Sequence, residues 1–466
     1  MTEKPLKIAM VSPQYSSLDG QISSYGLGVA VGLLSRGLAD KGHQIDVFVP
    51  TEKESYEFKD REVNVHARIS HFFTSQYISY PQHLGEIAAS LSVGSAQSRI
   101  TGDENHKSNV VRSLCDYDQK LALHLRGNHY DVIHIHDWPH ALLAKSVNQS
   151  RFLSDKPLSD LLIVTIHNAL YQGNVDFFPG SLVQSLLQEH HLVEGADPVS
   201  GGRFSYMATL AHYADKLVAV SNSYAISLKD MFPGIINGRI IAIPNGVDIK
   251  GITESSAFEK RDYSKQKPVL AIGGRVTPEK GFTVVLEVLP DIAEHFDVKI
   301  FGGTNNPHLK YQLEHMTPKN VQYVGELSRT DAIKLLTQSD AFLSASLHAP
   351  FEYMPIEALA SGAVPILTNV GAHRENFDNV RANDNYKGTA VIMHTINDNL
   401  LKIETYVETI ERLRQSIVEA VTFTAKAITE QGLREKVRAN FESRMASDNP
   451  WSIDRFVQDY ELAYRY

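Results

Sequence analysis

Residues 346–362 read SLHAPFEYMPIEALASG, and they lie between two short apolar runs, Ala341-Phe342-Leu343 and Val364-Pro365-Ile366-Leu367. Each run has the length and composition of a buried strand. The pattern predicts a chain that leaves the first strand, turns through Pro350 and enters a helix near Pro355. Proline suits the first helical turn, where its missing N–H has no partner to lose. Ser361-Gly362 then stops the helix and the second strand follows. Glu357 is placed in the first turn, where a carboxylate complements the positive end of the helix dipole. A glutamate at such a turn also faces any ligand lying across the carboxyl ends of parallel strands. A plain helix-capping role for Glu357 stays open on this stretch alone.

The same alternation runs through both halves of the 466 residues. Upstream in the second half lie Val269-Leu270-Ala271-Ile272, Val298-Lys299-Ile300-Phe301 and Val321-Gln322-Tyr323-Val324, with Thr277-Pro278-Glu279-Lys280-Gly281-Phe282 opening a helix after the first. In the first half, Ile8-Ala9-Met10-Val11 reads as a strand, Gly26-Leu27-Gly28 opens a helix ending at Lys41-Gly42, and Ile45–Val49 is the next strand. This strand–glycine turn–helix–strand unit is the kind that seats phosphate at a helix N-terminus. Four more apolar strands end in polar tips: 130–138 (His136, Asp137), 162–168 (His167), 215–221 and 240–248. Residues 51–110 carry no clear pattern, and 72–81 mix aromatic with polar side chains in what reads as a loop. Residues 250–267 are charged and polar and read as an interdomain linker. The expected fold is therefore α/β, with two doubly wound Rossmann-like domains at 1–249 and 250–445 facing across a cleft, and a terminal helix at 446–466.

Composition excludes several classes. A formal charge of −9 argues against a chain whose main partner is nucleic acid or an anionic lipid surface. No uninterrupted apolar run approaches the roughly 18 residues of a membrane span, and the N-terminal run is too short for a secretory signal. The one cysteine, Cys115, precludes an internal disulfide and reads as an inert thiol. A cytoplasmic location is expected.

Histidines 134, 136, 140 and 167 raise the question of zinc, because His134 and His136 alternate on one strand face. No HExxH pattern or cysteine set accompanies them, and the expectation is that no metal is bound. Arg275 and Lys280 sit five positions apart at a strand end and a helix start. A diphosphate needs such cations, arginine for forked oxygen contacts and lysine as a compact charge. A solvated surface pair is the simpler alternative.

Taken together, the motifs resemble the two-Rossmann (GT-B) retaining glycosyltransferases, especially the glycogen and starch synthase branch. The resemblance is carried by His136-Asp137-Trp138, Thr165-Ile166-His167-Asn168 with Tyr171-Gln172-Gly173, Ala219-Val220-Ser221, Pro244-Asn245-Gly246-Val247-Asp248, Gly274-Arg275 with Glu279-Lys280-Gly281, and Pro355-Ile356-Glu357-Ala358 with Gly362, in the family's order. It implies transfer of a hexosyl group from a nucleotide diphosphate sugar, a UDP- or ADP-sugar, to a carbohydrate or other hydroxyl acceptor, with retention and without a cofactor. Arg275 and Lys280 would hold the diphosphate, with Met354 and Glu352 at the donor, and Glu357 would take the ribose hydroxyls. His167 would meet the transferred sugar, Asp137 would line the pocket, and Gly26 and Gly28 would approach the phosphates. The terminal stripe Trp451, Ile453, Phe456, Val457, Tyr460 and Tyr464 would pack back on the first domain.

Three departures accompany the resemblance. The family's first glutamate, eight residues before the position of Glu357, is Ala349, and the glycine of its E-P-F-G context is Glu352. The synthase lysine before the glycine turn is replaced in Ser23-Ser24-Tyr25-Gly26, and the second Gly-Gly loop reads Gly371-Ala372-His373-Arg374-Glu375. The missing carboxylate would bind a donor-sugar hydroxyl; a charge-assisted hydrogen bond is worth ~1.5–3 kcal/mol, enough to change sugar preference or slow turnover. Glu352 or His348 would have to substitute. A glycosyltransferase-like subunit that binds without turnover is the alternative these departures support.

Overall fold

The computed structural model describes residues 4–17, 26–51, 55–69, 117–137, 140–153, 156–167, 210–231, 238–255, 262–264, 266–304, 306–382, 386–393 and 403–466. Cys115, Trp138, Asn168 and residues 23–25, 72–81 and 171–173 lie outside them. The described residues up to Gly246, with Ile453–Tyr466, form one compact unit, and Val247–Ser452 form another.

The first unit is built on strands β1 (Lys7–Val11), β2 (Gln44–Thr51), β3 (Tyr56–Asp60), β4 (Val63–Ile69), β5 (Tyr130–His136), β6 (Ser159–Ile166), β7 (Lys216–Ala219) and β8 (Ile240–Ala242). Their order in the sheet is β3-β4-β2-β1-β5-β6-β7-β8. All pair in parallel except β3 with β4. β3 and β4 fall in the unpatterned stretch after residue 51: the buried alternation Val63, Val65 and Ala67 on β4 is too short to stand out. Between β1 and β2 runs helix α1 (Leu27–Asp40), which buries Leu27, Val31, Leu34 and Leu38 on the sheet at i, i+4, i+7 and i+11. Helix α2 (Asn222–Met231) follows β7, and the hydroxyl of Ser221 accepts from the backbone N–H of Tyr224 at 3.2 Å. The C-terminal helix, Ile453–Arg465, seals the unit. Its Phe456, Val457, Tyr460, Ala463 and Tyr464 join Ile8, Val132 and Ile163 in one core. Each large side chain so buried contributes roughly 1.5–3 kcal/mol. Trp451 is not on that helix: it is fully buried in the core of the second unit, its indole N–H donating to Asn376 Oδ1 at 3.2 Å.

The second unit opens with helix α3 (Ile249–Ser255), where an unstructured linker was expected. Ile249 and Ile252 are buried three residues apart, and Asp248 caps the turn by accepting from the N–H of Gly251 at 2.9 Å. That period is one turn long, so it is invisible against the surrounding charge. The sheet comprises β9 (Val269–Gly273), β10 (Asp297–Phe301), β11 (Val321–Gly325), β12 (Ala341–Ser344), β13 (Val364–Leu367) and β14 (Val391–Ile392). Its order is β11-β10-β9-β12-β13-β14, parallel throughout. Helices α4 (Phe282–Glu287), α5 (Arg329–Thr337), α6 (Tyr353–Ala360), α7 (His373–Asn376) and α8 (Ile403–Gln431) belong to this unit. Helix α6 starts two residues before Pro355, so Glu357 lies in its second turn rather than its first. The first turn tolerates proline at any of its positions, because none of those N–H groups has an intrahelical acceptor.

Both sheets reverse direction of strand addition at an internal point, between β1 and β5 in one and between β9 and β12 in the other. In open α/β sheets the space beyond the carboxyl ends at such a switch point is where ligands bind.

Candidate active site

Beyond the carboxyl ends of β9 and β12, a turn at Pro278–Lys280 meets the chain leaving β12. Gly281 makes this approach possible. Its φ is +74°, and a Cβ there would lie 2.1 Å from the carbonyl oxygen of Ala345. The N–H of Leu347 donates to the Glu279 carbonyl at 3.0 Å, tying turn and loop together.

Lys280 is thereby carried onto Glu352, the residue before α6. Its ammonium forms an ion pair with Glu352 Oε1. The hydroxyl of Ser346 donates to the same oxygen at 2.5 Å, and that of Ser344 donates to Oε2 at 2.8 Å. Nε2 of His373 lies 3.0 Å from Oε2, while its Nδ1 donates to the Thr368 carbonyl at 2.9 Å. Glu352 is largely withdrawn from solvent, and that desolvation by itself raises its carboxyl. The Lys280 ammonium and His373 override that and hold it well below the usual carboxylate range. Four donors fill the roughly four lone-pair directions of a carboxylate. Glu352 in this arrangement has no capacity left for a sugar hydroxyl. Nearby, His348 is kept neutral by burial and by the charge of Lys280, pushed down to about 3.

The remaining expected residues of this unit occupy separate contacts. Arg275 is half exposed, with its Nη1 3.7 Å from Glu279 Oε1. Glu357 is buried, and Arg329 directs Nε (3.0 Å) and Nη2 (2.8 Å) to its Oε1. Met354 is half buried against the unit's core. Ala349 is fully buried, and Gly371, at φ +46°, brings the following N–H of Ala372 to its carbonyl at 2.8 Å.

In the first unit, His136, Asp137 and His167 meet at the adjacent ends of β5 and β6. Nδ1 of His136 lies 3.2 Å from Nε2 of His167. Asp137 is buried in a left-handed conformation, φ +68°, with its N–H donating to the Thr165 carbonyl at 2.7 Å. Left-handed backbone on a non-glycine residue at a strand end is a strain that surrounding structure must hold, and it is concentrated at ligand sites. Burial and the Asp137 charge push the Tyr224 phenol well above its usual range. His140 turns away to Asp118, 2.9 Å from Nδ1 to Oδ1. Among the described residues no group of three or more potential ligands is placed to hold a metal ion. Gly26 caps α1 with φ +48°, and Gly28 is buried in its first turn.

Ser344, Ser346, His373 and Arg329 were not singled out as contacts by sequence. Arg329 did leave a signal: it is the first residue of α5, where the helix dipole disfavours a cation. A cation tolerated at that end has a carboxylate partner elsewhere, here Glu357.

Comparison with known proteins decides the family. The starch synthase catalytic domain family matches residues 7–236, and the glycosyl transferases group 1 family matches residues 254–416. The chain belongs to the GT-B glycosyltransferases. This glycosyltransferase is 23% identical to a glycogen synthase of Koribacter versatilis over 76% of the chain and 81% of that protein. It is 25% identical to the Aliivibrio salmonicida glycogen synthase over 84% of the chain and 89% of that protein. The match to the Clostridium kluyveri glycogen synthase, also at 25% identity, spans 53% of the chain and 58% of that protein. In fold, the glycosyltransferase is similar to the catalytic domain of starch synthase IV from Arabidopsis thaliana bound to ADP and acarbose (TM-score 0.65, 14% identity, 99% of each chain). It is also similar to the E. coli trehalose-6-phosphate protein bound with UDP-2-fluoro glucose (TM-score 0.62, 12% identity, 98% and 99%). In the described residues no helix is long and apolar enough to cross a membrane.

Proposed function

We propose that this glycosyltransferase moves a hexosyl unit from an ADP- or UDP-sugar to a carbohydrate hydroxyl, with retention at the anomeric carbon. The observation that carries the reading is the position of Lys280 beyond the carboxyl end of β9, at the sheet's switch point, held by a carboxylate largely withdrawn from solvent. Lys280 and Arg275 stabilise charge developing on the leaving diphosphate, and the departing phosphate oxygen draws the acceptor proton. Glu357, with one oxygen engaged by Arg329, takes the ribose hydroxyls through the other. His167 and Asp137 supply polar contacts to the transferred sugar from the ends of β5 and β6. Starch synthase IV bound to ADP and the trehalose-6-phosphate protein bound to UDP-2-fluoro glucose support those two bases.

The test is transfer from a panel of nucleotide sugars to oligosaccharide acceptors by the intact chain, with the product anomer read by NMR and Lys280→Ala as control. Turnover that falls about 10²–10³-fold in the variant supports the reading. An inverted product overturns retention. A second reading, binding without turnover, is favoured by Ala349 and by the saturation of Glu352. Tight nucleotide binding with no transfer from any donor would establish it.

A further inference from the structure

We propose that His136 is a positioning residue that fixes the tautomer of His167, leaving the Nδ1–H of His167 as the hydrogen-bond donor at the end of β6. The inference rests on the reading of His167 as a contact to the transferred sugar and adds which way that contact runs.

A single proton joins the two rings, because Nδ1 of His136 and Nε2 of His167 face each other at 3.2 Å. Burial holds both imidazoles neutral, His136 well below its ordinary value and His167 at about 3. Each ring therefore carries one N–H. If His167 donated, Nδ1 of His136 would be bare and its proton would sit on Nε2. That nitrogen is buried and, among the described residues, has no hydrogen-bond partner. A buried N–H with no acceptor is rarer and costlier than a buried acceptor with no donor. The proton accordingly belongs on Nδ1 of His136, which donates to Nε2 of His167. His167, neutral with Nε2 accepting, must carry its proton on Nδ1. Its hydrogen bond among the described residues is made through Nε2, so Nδ1–H is directed to other chemistry.

The geometry holding His136 is itself built from side chains. Its ring lies against that of His134, centroids 3.9 Å apart and planes tilted by 37°. His134 is held at both nitrogens, by the Tyr464 hydroxyl at Nδ1 and the Thr165 hydroxyl at Nε2, each at 2.7 Å. The Tyr460 hydroxyl meets Thr165 Oγ1 at 2.8 Å. The C-terminal helix thus fixes the plane of His136 through His134. A fixed Nδ1–H on His167 donates to a sugar hydroxyl oxygen; the opposite tautomer would accept from one.

The experiment labels histidine with ¹⁵N in the intact chain and reads tautomers from long-range ¹H–¹⁵N correlations, assigning His167 with His167→Gln. The expected result is an Nδ1–H tautomer for His167 in the parent and a mixture or the Nε2–H form in His136→Leu. His136→Asn, whose amide can donate from the position of Nδ1, is expected to restore both the Nδ1–H form and kcat to within about fivefold, with His136→Leu losing 10-fold or more in kcat at little-changed donor KM. An Nε2–H tautomer in the parent, an unchanged tautomer in His136→Leu, or equal impairment of the two variants overturns the proposal. If instead His167→Gln transfers at the parental rate, the reading of His167 as a sugar contact fails, whereas the tautomer result stands or falls by itself.

Discussion

The ammonium of Lys280 rests on the carboxylate of Glu352, and the same carboxylate is saturated by Ser344, Ser346 and His373. An anionic ligand meeting Lys280 therefore meets a negative charge directly behind it. At about 5 Å and an effective dielectric of about 20, that repulsion is about 3 kcal/mol. Glu352 also immobilises the lysine, a benefit of about 1–2 kcal/mol in side-chain entropy. The Coulomb effect is the larger. Glu352→Gln is expected to tighten ADP or UDP binding about tenfold in titration calorimetry. Global stability should move the other way and fall by about 2 kcal/mol, because a largely buried ion pair is broken while Lys280 keeps partial access to water. Weaker nucleotide binding in the variant would show that positioning outweighs repulsion.

Arg329 and Glu357 define a second expectation. Two guanidinium nitrogens converge on Oε1 of a buried carboxylate, which fixes the carboxylate plane and leaves Oε2 for a ligand. Arg329→Met keeps the aliphatic stem and removes the fork. Affinity for a whole nucleoside diphosphate should drop about 10- to 100-fold, the worth of one hydrogen bond to a charged group, while inorganic pyrophosphate binding stays unchanged. Equal losses for the two ligands would place Glu357 away from the ribose.

The path from sequence to this site can be followed residue by residue. Strand β12, the Pro350 turn, α6 and β13 were legible because each apolar run is short, continuous and bounded by turn residues. Glu357 and Lys280 stood out as candidates because each is a charged side chain set in a strand–turn–helix segment of otherwise apolar or small residues. The pairing of Lys280 with Glu352 was not legible, since 72 positions separate them and the two segments meet through the close approach at Gly281. His373 was hidden for the same reason: its partner is set by the parallel register of β12 and β13, a long-range property. Helix α3 and strands β3 and β4 escaped because one turn, or three alternating residues, carries too little periodicity to outweigh surrounding polarity. His136 was visible as a strand residue, but its tautomeric role depends on a neighbour 31 positions away.

Gly281 offers a test of the turn itself. Its φ of +74° is left-handed, and an added Cβ would meet the Ala345 carbonyl oxygen at 2.1 Å. The obstacle is backbone on both sides, so neither segment relieves it by a rotamer change. Gly281→Ala is expected to cost about 1–3 kcal/mol from the backbone conformation, with the overlap adding to it. Thermal melting of the variant should fall by several degrees, and donor affinity should fall with it as the Pro278–Lys280 turn lifts from Leu347. A variant with parental melting and parental affinity would mean that the contact at Ala345 is not what holds Lys280 in place.

The buried histidines set the acid sensitivity of the fold. His134, His136, His167 and His348 are all depressed, chiefly because burial disfavours their charged forms, with His167 and His348 at about 3. The unfolded chain binds a proton at each as pH drops through about 6.5, whereas the folded chain does not. Stability from these groups is therefore complete above about 6.5 and is lost as pH falls toward the depressed folded values. His66 has the opposite sign: although burial lowers it, its bonds to Asp46 and Glu57 raise it overall, so acid favours its folded form. Glu352 is silent in this window, because a carboxyl lowered on folding loses its contribution only below its unfolded value of about 4.5. Near pH 5.5 His66 is protonated in both states and nearly drops out, so the four depressed groups leave about three and a half protons taken up on unfolding, a slope of about 5 kcal/mol per pH unit. Urea unfolding at pH 7.5, 6.5 and 5.5 should show the free energy nearly flat over the first step and falling steeply over the second. A constant or rising stability across that second step would mean that these imidazoles are solvated, and with them the row of rings that orients His167.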